Sequence, residues 1–350
     1  MKKKLLIVSI LFLLFSVACL GAAVPQDTEQ RYDVGYRILD LPYGDDTMTV
    51  AVWYPTRDDP EEFVYGGSVT GNLAVDGAFD LSAGPYPLMV FSHGFGGGGI
   101  GAAFFTEALA SHGWVVAAPD HHDFASAVRI RDPYAQDEEF LDALDYVDTL
   151  TSSGPNSRED YLYRLDEMRF VLDSMLASEE FSPMINETRV AVGGHSFGGF
   201  TAMGVSGTIP EYHDERIQGV LLFSTGAGNY LFTAEELGRV NVPLMVFMGE
   251  KEGDQTRDSA TMLDLHLEIY DLASPPKYFV EIKNGTHFSF NEGFKDTLLN
   301  SLFRGTSAQH AVIADYAIAF LETHVAGRTV DAVQVLNRQD RMVTEFLKEE

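Results

Sequence analysis

The strongest constraint on this chain is the stretch at 189–200, which reads RVAVGGHSFGGF. Val190 and Val192 alternate as in a buried strand, two glycines end the alternation, and another glycine pair follows Ser196 and Phe197. Glycine has no Cβ, so it permits tight turns and close backbone approaches that other residues exclude. The pattern predicts a buried strand that ends in a tight turn and leads directly into a helix.

Ser196 lies at the centre of a G-x-S-x-G pattern that it forms with Gly194 and Gly198. In such a turn the two glycines let the strand and the helix pack closely, and the strained backbone presents the serine hydroxyl at the top of the sheet. Ser196 is therefore the candidate nucleophile. Five-residue matches also arise by chance in glycine-rich turns, so the rest of the chain has to supply the other parts of the site.

Strand-like and helix-like segments alternate along the chain after a first pair of strands. That pair, at 32–41 and 47–54, predicts an antiparallel hairpin. Continuous apolar runs predict further buried strands at 87–91, 114–118, 219–223, 244–247 and 278–282. Helices are expected at 102–111, 137–150, 161–176, 259–272 and 308–325. The expected fold is α/β, with a mostly parallel central sheet and helices on both of its faces.

The length suits one large domain, which we expect to span residues 30–326, followed by a polar or helical tail at 327–350. Within the domain, residues 56–87 are polar and rich in Gly and Asp, which predicts a long loop. The carboxyl ends of the parallel strands are the expected place for functional loops.

The first 23 residues predict an export signal. Three lysines precede an apolar run at 5–20, which is short for a membrane-spanning helix and is followed by small residues. Cys19 stands behind Ser-Val-Ala and resembles the lipidated cysteine of a bacterial lipoprotein signal. Cleavage after Ala22 or Ala23 is the alternative. The expected location is secreted or periplasmic, with or without a lipid anchor through Cys19.

The cysteine content and the net charge exclude several classes of function for this protein. Cys19 is the only cysteine, which excludes an intrachain disulfide and a cysteine nucleophile in the folded domain. The net charge of −28 repels nucleic-acid phosphates, so we exclude a nucleic-acid partner. No cofactor is expected, and the sequence says nothing about the oligomeric state.

Acyl transfer by a serine needs a general base and an acid that orients it, in the chain order serine, acid, histidine. His287 is the candidate base, because it follows the strand at 278–282 and an Asn-Gly turn that can swing it over the serine. The loop after the strand at 244–247 offers Glu250, Glu252 and Asp254. We favour Asp254 as the acid, with Glu252 as the alternative because it lies at the commoner distance from the strand end.

Two backbone amides are needed to stabilise the oxyanion. One is expected from Phe197, the residue after the nucleophile, and the other from Phe95 in the glycine-rich loop after the strand at 87–91. That loop lacks the Gly-Lys-Ser/Thr ending of a phosphate-binding loop. We assign His93, Gly94, His195 and Phe288 to the substrate-binding surroundings, with His195 packing beside the nucleophile.

A second histidine cluster, His121-His122-Asp123, follows the strand at 114–118. No partner cluster with metal-ligand spacing accompanies it, and serine chemistry needs no metal ion. The sequence therefore predicts no metal site, and we expect these three residues to line the rim of the cleft.

With these residues identified, the chain resembles the α/β-hydrolases. FSHGFGG, ASHGWVVAAPDHHD, GGHSFGGF and YDVGYRILDLPYGDDTMTVAVWYPT are similar to segments of platelet-activating-factor acetylhydrolases and of bacterial proteins called predicted dienelactone hydrolases. EIKNGTHFSFNE and the short HGF loop are more similar to bacterial cutinases and polyester hydrolases. The resemblance covers residues 32–325 and implies an α/β-hydrolase fold and a serine nucleophile at Ser196.

The chain also departs from these families. Dienelactone hydrolases use a cysteine where Ser196 stands. Acetylhydrolases of the plasma type carry their acid after the strand that follows the nucleophile, where this chain has Ser224 and Thr225. The resemblance to cutinases instead implies an acid one strand later, at Asp254 or Glu252.

We expect a secreted serine carboxylic ester hydrolase acting on short-to-medium acyl or aromatic esters, on small molecules or polymers. A phospholipase A2-like platelet-activating-factor acetylhydrolase is one alternative, and a catalytically inactive hydrolase fold that serves as a binding protein is another.

Overall fold

The computed structural model describes residues 32–134, 154–225, 231–257, 260–294, 304–328 and 332–350. The signal segment with Cys19 and the helix expected at 137–150 lie outside these ranges. No helix among the described residues is long and apolar enough to cross a membrane.

Eleven described strands form one sheet, in the order β13-β12-β9-β8-β7-β5-β6-β2-β1-β4-β3. The strands are β1 Asp33–Tyr43, β2 Asp46–Thr56, β3 Glu61–Gly66, β4 Val69–Val75, β5 Tyr86–Ser92, β6 Val115–Pro119, β7 Ile185–His195, β8 Ile217–Phe223, β9 Leu244–Gly249, β12 Lys277–Ile282 and β13 Val343–Glu349. A separate two-residue ribbon pairs β10 Thr256–Arg257 with β11 Ala260–Thr261.

The described α-helices are α1 Ala103–Ser111, α2 Tyr163–Ala177, α3 Phe197–Met203, α4 Ala234–Leu237, α5 Met262–Leu272, α6 Ser307–Leu321 and α7 Ala332–Val335. Helices α1 and α6 pack against one face of the sheet, and α2, α3 and α5 pack against the other. The expected α/β architecture, with helices on both faces and an antiparallel N-terminal hairpin of β1 and β2, is confirmed.

The six central strands, in the spatial order β6-β5-β7-β8-β9-β12, are all parallel. Strand β5 shows why the sequences of such strands are continuous apolar runs. Its seven residues are all buried. Met89 and Phe91 pack into the core on one face, whereas Leu88 and Val90 pack into the core on the other. A strand covered by helices on both faces has no solvent side, so its sequence does not alternate between apolar and polar residues.

Two segments differ from the sequence-based expectation. The loop expected at 56–87 contains β3 and β4, which form the hairpin at one edge of the sheet. The tail expected at 327–350 contains α7 and β13, and β13 pairs antiparallel with β12 at the opposite edge. Edge strands are solvated on one side and carry polar or glycine residues, so their sequences lack the signal of a buried strand.

Helix α3 begins directly where β7 ends. Glycines at this junction allow its backbone to pack closely against the end of the neighbouring strand β5. A Cβ added at Gly198 would lie 2.0 Å from the carbonyl oxygen of Ser92 at the end of β5. A Cβ at Gly194 would lie 2.3 Å from the backbone of Gly198. The sheet order then places the carboxyl ends of β7, β8, β9 and β12 side by side, which is where the candidate site lies.

Candidate active site

Ser196 occupies the junction between β7 and α3 with φ 53° and ψ −117°. A positive φ is unfavourable for a residue with a Cβ and persists only where the surrounding structure enforces it. Here the Ser196 amide donates to the Phe223 carbonyl at 2.9 Å, and the Thr225 hydroxyl donates to the Ser196 carbonyl at 2.8 Å. The backbone is therefore held on both sides while the hydroxyl projects from the sheet edge.

His287 lies above Ser196, with its Nε2 2.9 Å from the serine Oγ. It begins a short 3₁₀ turn, His287–Phe290, which follows β12 and the Asn-Gly turn. Asn284 in that turn has φ 54°, a conformation that asparagine tolerates better than most residues. The structure thus brings the candidate nucleophile and the candidate base into hydrogen-bonding contact.

The carboxylate next to His287 belongs to Glu252. Its Oε2 lies 3.3 Å from His287 Nδ1, and its Oε1 accepts a hydrogen bond from the Gly249 amide at 2.6 Å. The side chain is buried, at 1% relative exposure. Asp254, which the sequence analysis favoured, is exposed in the turn that follows.

The local backbone explains why the preference for Asp254 has to be corrected. After β9 the chain forms a single 3₁₀ turn, Glu250–Glu252, and the carboxylate of its third residue folds back onto the Gly249 amide. A Cβ at Gly249 would lie 2.5 Å from the Gly285 backbone, so the loops after β9 and β12 touch there. Glu252 points into that contact, whereas Asp254 lies two residues beyond it.

Burial raises the pKa of the Glu252 carboxyl, but opposing interactions outweigh it and lower that pKa to about 2. The largest of these are the hydrogen bond and the charge of His287, followed by the charge of His266 and the Ser224 hydrogen bond. Glu252 is therefore ionised at neutral pH and can only accept hydrogen bonds.

Ser224 lies between the histidine and the carboxylate. Its Oγ is 2.7 Å from His287 Nδ1 and 2.6 Å from Glu252 Oε2, both shorter than the direct contact between the histidine and the carboxylate. The sequence analysis did not identify this residue. Its only signal was a polar pair, Ser224 and Thr225, directly after the apolar strand β8.

Hydrogen bonds to the Gly94 carbonyl fix the backbone of the loop after β5. The Gly94 carbonyl accepts hydrogen bonds from the Gly97 amide at 3.1 Å and from His93 Nδ1 at 2.6 Å. Because the peptide bond is planar and trans, the Phe95 amide points away from that carbonyl. The Phe197 amide is the first of helix α3, where amides lack an intrahelical acceptor. These are the two amides that the sequence analysis named as oxyanion donors.

Of the four residues assigned to substrate binding, Gly94 is buried against Ser196 and Phe288 is exposed beside His287. A Cβ at Gly94 would be 3.2 Å from the Ser196 Cβ. Phe288 is 52% exposed, and its ring centroid is 5.4 Å from that of His287. His93 and His195 are each only 3% exposed, so their assignment is corrected: both imidazoles lie behind the site.

His195 supports the candidate base His287 from behind. Its Nε2 lies 2.9 Å from the His287 carbonyl oxygen and must donate to it, while Nδ1 accepts from the Asn291 side-chain amide at 2.9 Å. Burial and the positive charge of His287 lower the pKa of His195 to about 3. A neutral imidazole in a defined tautomer therefore fixes the backbone of the His287 turn.

Arg164 supports the loop after β5 in a comparable way and was also missed from sequence. Its guanidinium donates to the His93 carbonyl at 2.8 Å and lies 4.5 Å from the centroid of the Phe197 ring. It is fully buried against Asp123, which accepts from its Nε and Nη2. Its sequence signal was an arginine in the buried stripe of α2, next to Leu165.

The His121-His122-Asp123 cluster was expected to line the cleft, and the structure corrects this. His121 and Asp123 are buried, and the Glu167 carboxylate accepts at 2.7 Å from each of the two histidine Nδ1 atoms. In the part of the chain that the structure describes, no three histidine, cysteine or carboxylate side chains are grouped to hold a metal ion.

Known families and proteins that this chain is similar to include platelet-activating factor acetylhydrolases. The family model for platelet-activating factor acetylhydrolase, isoform II, matches residues 61–152. A platelet-activating factor acetylhydrolase from Cavia porcellus is 27% identical over 220 residues, with 49% of this chain and 50% of that protein covered. The chain therefore spans about half the length of that relative.

Comparison with solved structures adds the fold. A ferulic acid esterase from Streptomyces cinnamoneus matches with a TM-score of 0.66 and 20% sequence identity, covering 91% of this chain and 97% of the esterase. At that identity the likeness shows the fold alone. The α/β-hydrolase fold and the resemblance to serine esterases that the sequence motifs predicted are confirmed by these matches.

The lowered pKa of Glu252 predicts how this carboxylate affects acid stability. The ordinary pKa of a glutamate is 4.5, so the stabilisation from its ionised form is complete above that pH and is lost as the pH falls to about 2. We expect the free energy of unfolding to fall less steeply across this range in Glu252→Gln than in the wild type. Denaturant unfolding at a series of pH values measures the free energy of unfolding of both proteins.

The matched control is Asp254→Asn, which removes an exposed carboxylate from the same loop and should leave the wild-type slope. Equal slopes for Glu252→Gln and the wild type would contradict the interpretation of the buried network around Glu252.

Proposed function

We propose that this protein is a serine carboxylic ester hydrolase that works through an acyl-enzyme. Ser196 is the nucleophile, His287 the general base and Glu252 the acid, in place of the initially favoured Asp254. The observation that carries the proposal is the continuous hydrogen-bonded connection from the Ser196 hydroxyl through the imidazole to the buried carboxylate. A nucleophile joined to a base that a third group orients is the arrangement nucleophilic catalysis requires.

The reaction then follows from the positions of these groups. Ser196 Oγ attacks the ester carbonyl carbon while His287 Nε2 takes the hydroxyl proton, and Glu252 stabilises the imidazolium that forms. The Phe95 and Phe197 amides donate to the oxyanion, each contributing about 3 kcal/mol. The imidazolium protonates the departing alcohol. Water, deprotonated by the same imidazole, then releases the acid and restores Ser196.

The surroundings support an ester whose acyl group has apolar bulk. Phe288 is 52% exposed beside His287, and Phe95 lies near Phe197 with a ring-centroid distance of 6.4 Å. Apolar rings around a few well-placed polar groups are typical of small-molecule sites. We propose short-to-medium acyl or aromatic esters as the substrate class.

Removal of the nucleophile tests the activity itself. We expect Ser196→Ala to lower kcat on p-nitrophenyl acetate and butyrate at least about 10⁴-fold, because no acyl-enzyme can form. Glu252→Gln should lower it about 10³-fold, while Asp254→Asn stays within about 3-fold of the wild type. Initial-rate assays with matched unfolding curves give these values.

Two outcomes would contradict the assignment. Equal rates for Ser196→Ala and the wild type, or no rate with either, would favour an inactive hydrolase fold that serves as a binding protein. A loss confined to Asp254→Asn would return the acid role to that residue.

A second candidate function is a phospholipase A2-like acetylhydrolase, which the matches to platelet-activating factor acetylhydrolases support. Its substrate would be a phospholipid with a short acyl chain. Measuring kcat/KM over p-nitrophenyl esters from C2 to C12 and on an acetylated phospholipid separates the two. We expect simple esters to be preferred at least about 10-fold, and a preference for the phospholipid would reverse the order of the candidates.

We further propose export from the cell, with Cys19 as the lipid-bearing residue. The basic and apolar N-terminal segment supports export, and the small residues before Cys19 support lipidation. Labelling of expressing bacteria with a fatty acid should mark the wild type and not Cys19→Ser. Equal absence of label from both, with protein in the periplasm or medium, would indicate ordinary cleavage after Ala22 or Ala23.

A further inference from the structure

Ser224 occupies the one strand end that lies between the acid and the nucleophile. The sheet order runs β12, β9, β8, β7, and these four strands are followed by His287, Glu252, Ser224 and Ser196. The imidazole that starts from β12 therefore crosses over the ends of β9 and β8 to reach the serine. Ser224 at the end of β8 lies beneath this crossing and is fully buried.

The hydrogen-bond directions around Ser224 follow from the chemistry of its partners. An ionised Glu252 can only accept, so the Ser224 O–H must donate to it, at 2.6 Å. The Ser224 oxygen then accepts from His287 Nδ1–H, at 2.7 Å. His287 Nε2 is left unprotonated and accepts from the Ser196 hydroxyl. Ser224 thus selects the imidazole tautomer that can act as a base.

The backbone conformation of Ser224 is also unusual for a residue with a side chain. Its φ is 46°, in the left-handed region, and its amide donates to the Phe247 carbonyl at 2.8 Å. Strained residues of this kind persist where surrounding structure enforces them and are concentrated at functional sites. By contrast, the direct contact between His287 Nδ1 and Glu252 Oε2 is 3.3 Å, long for a charge-assisted hydrogen bond.

We propose that Ser224 is a positioning residue that transmits the charge of Glu252 to His287, so that the site is a relay of four side chains. The proposal rests on the proposed ester hydrolysis and adds a residue to its machinery. No extra proton moves: the serine proton passes from Ser196 to His287 Nε2, and Ser224 keeps its own proton throughout. As the imidazole becomes positive, the short hydrogen bonds to Ser224 and on to Glu252 strengthen.

The first test removes the hydroxyl. We expect Ser224→Ala to lower kcat on p-nitrophenyl butyrate about 10- to 100-fold with KM within about 3-fold, because the relay acts on proton transfer and not on substrate binding. Ser224→Gly is the second variant, since glycine adopts the positive φ without strain. Ser206→Ala is the matched control, a buried serine whose hydroxyl bonds the Ala202 carbonyl within a helix.

The second test is a double-mutant cycle with Glu252→Gln. If Ser224 acts only through Glu252, Ser224→Ala combined with Glu252→Gln should be no slower than Glu252→Gln alone, within about 3-fold. If the two residues act independently, their effects multiply. Multiplied effects would overturn the relay while leaving the ester hydrolase intact.

The third test moves the carboxylate. Aspartate tolerates a left-handed backbone, so Ser224→Asp places a carboxylate where the hydroxyl now faces His287 Nδ1. We expect Ser224→Asp with Glu252→Gln to recover at least about 10-fold in kcat over Glu252→Gln alone. Recovery supports the relay, and no recovery would contradict the position assigned to residue 224.

The experiments distinguish a failure of the role proposed for Ser224 from a failure of the proposed ester hydrolase function. If Ser196→Ala retains full activity, the ester hydrolase proposal fails first. If Ser196→Ala is inactive while Ser224→Ala and Ser224→Gly match Ser206→Ala, only the role of Ser224 is wrong.

Discussion

The contact between the start of helix α3 and the end of strand β5 governs the geometry of this site. The absent side chain of Gly198 leaves room for the carbonyl oxygens of Ser92 and His93, which a Cβ would approach to 2.0 and 2.8 Å. Nothing larger than glycine fits between the turn at Ser196 and the loop after β5. As a result, the two candidate oxyanion donors, the Phe197 and Phe95 amides, belong to backbones in van der Waals contact. Their separation is set by packing, not by flexible side chains.

The same loop is fixed from its other side by a buried charge. Arg164 binds the His93 carbonyl and packs on the Phe197 ring, so one guanidinium touches both segments that carry the candidate oxyanion amides. Burying the Arg164–Asp123 pair costs desolvation energy, and hydrophobic residues of similar size would often give equal stability. What hydrophobic residues would not provide is a donor for the His93 carbonyl. We infer that the pair is retained for the geometry it imposes on the loop.

The parts of the site that follow from local sequence could be predicted, and those that depend on loop packing could not. Ser196 follows one apolar strand directly, and His287 follows another after an Asn-Gly turn. Because the parallel strands end on the same side of the sheet, the meeting of these two residues could be predicted from sequence. The choice between Glu252 and Asp254 depends on a single 3₁₀ turn whose direction is set by the contact of Gly249 with Gly285. The edge strands β3 and β13, and β4 next to β3, were missed because strands at or near a solvated edge need no continuous apolar run.

One histidine lies in the candidate site and two lie behind it, and their hydrogen bonds give them different roles. His93 donates from Nδ1 to the Gly94 carbonyl and accepts at Nε2 from the His121 amide at 3.0 Å, so both nitrogens are occupied in one neutral tautomer. His195 is occupied in the same way by the His287 carbonyl and Asn291. Burial lowers the pKa of both, which keeps them uncharged. Of the three, only His287 has one nitrogen directed at the Ser196 hydroxyl. Its other nitrogen is hydrogen-bonded through Ser224 to the anionic Glu252. In the proposed acyl transfer, two neutral neighbours avoid repulsion against the imidazolium of His287, which is the role we propose for these buried histidines.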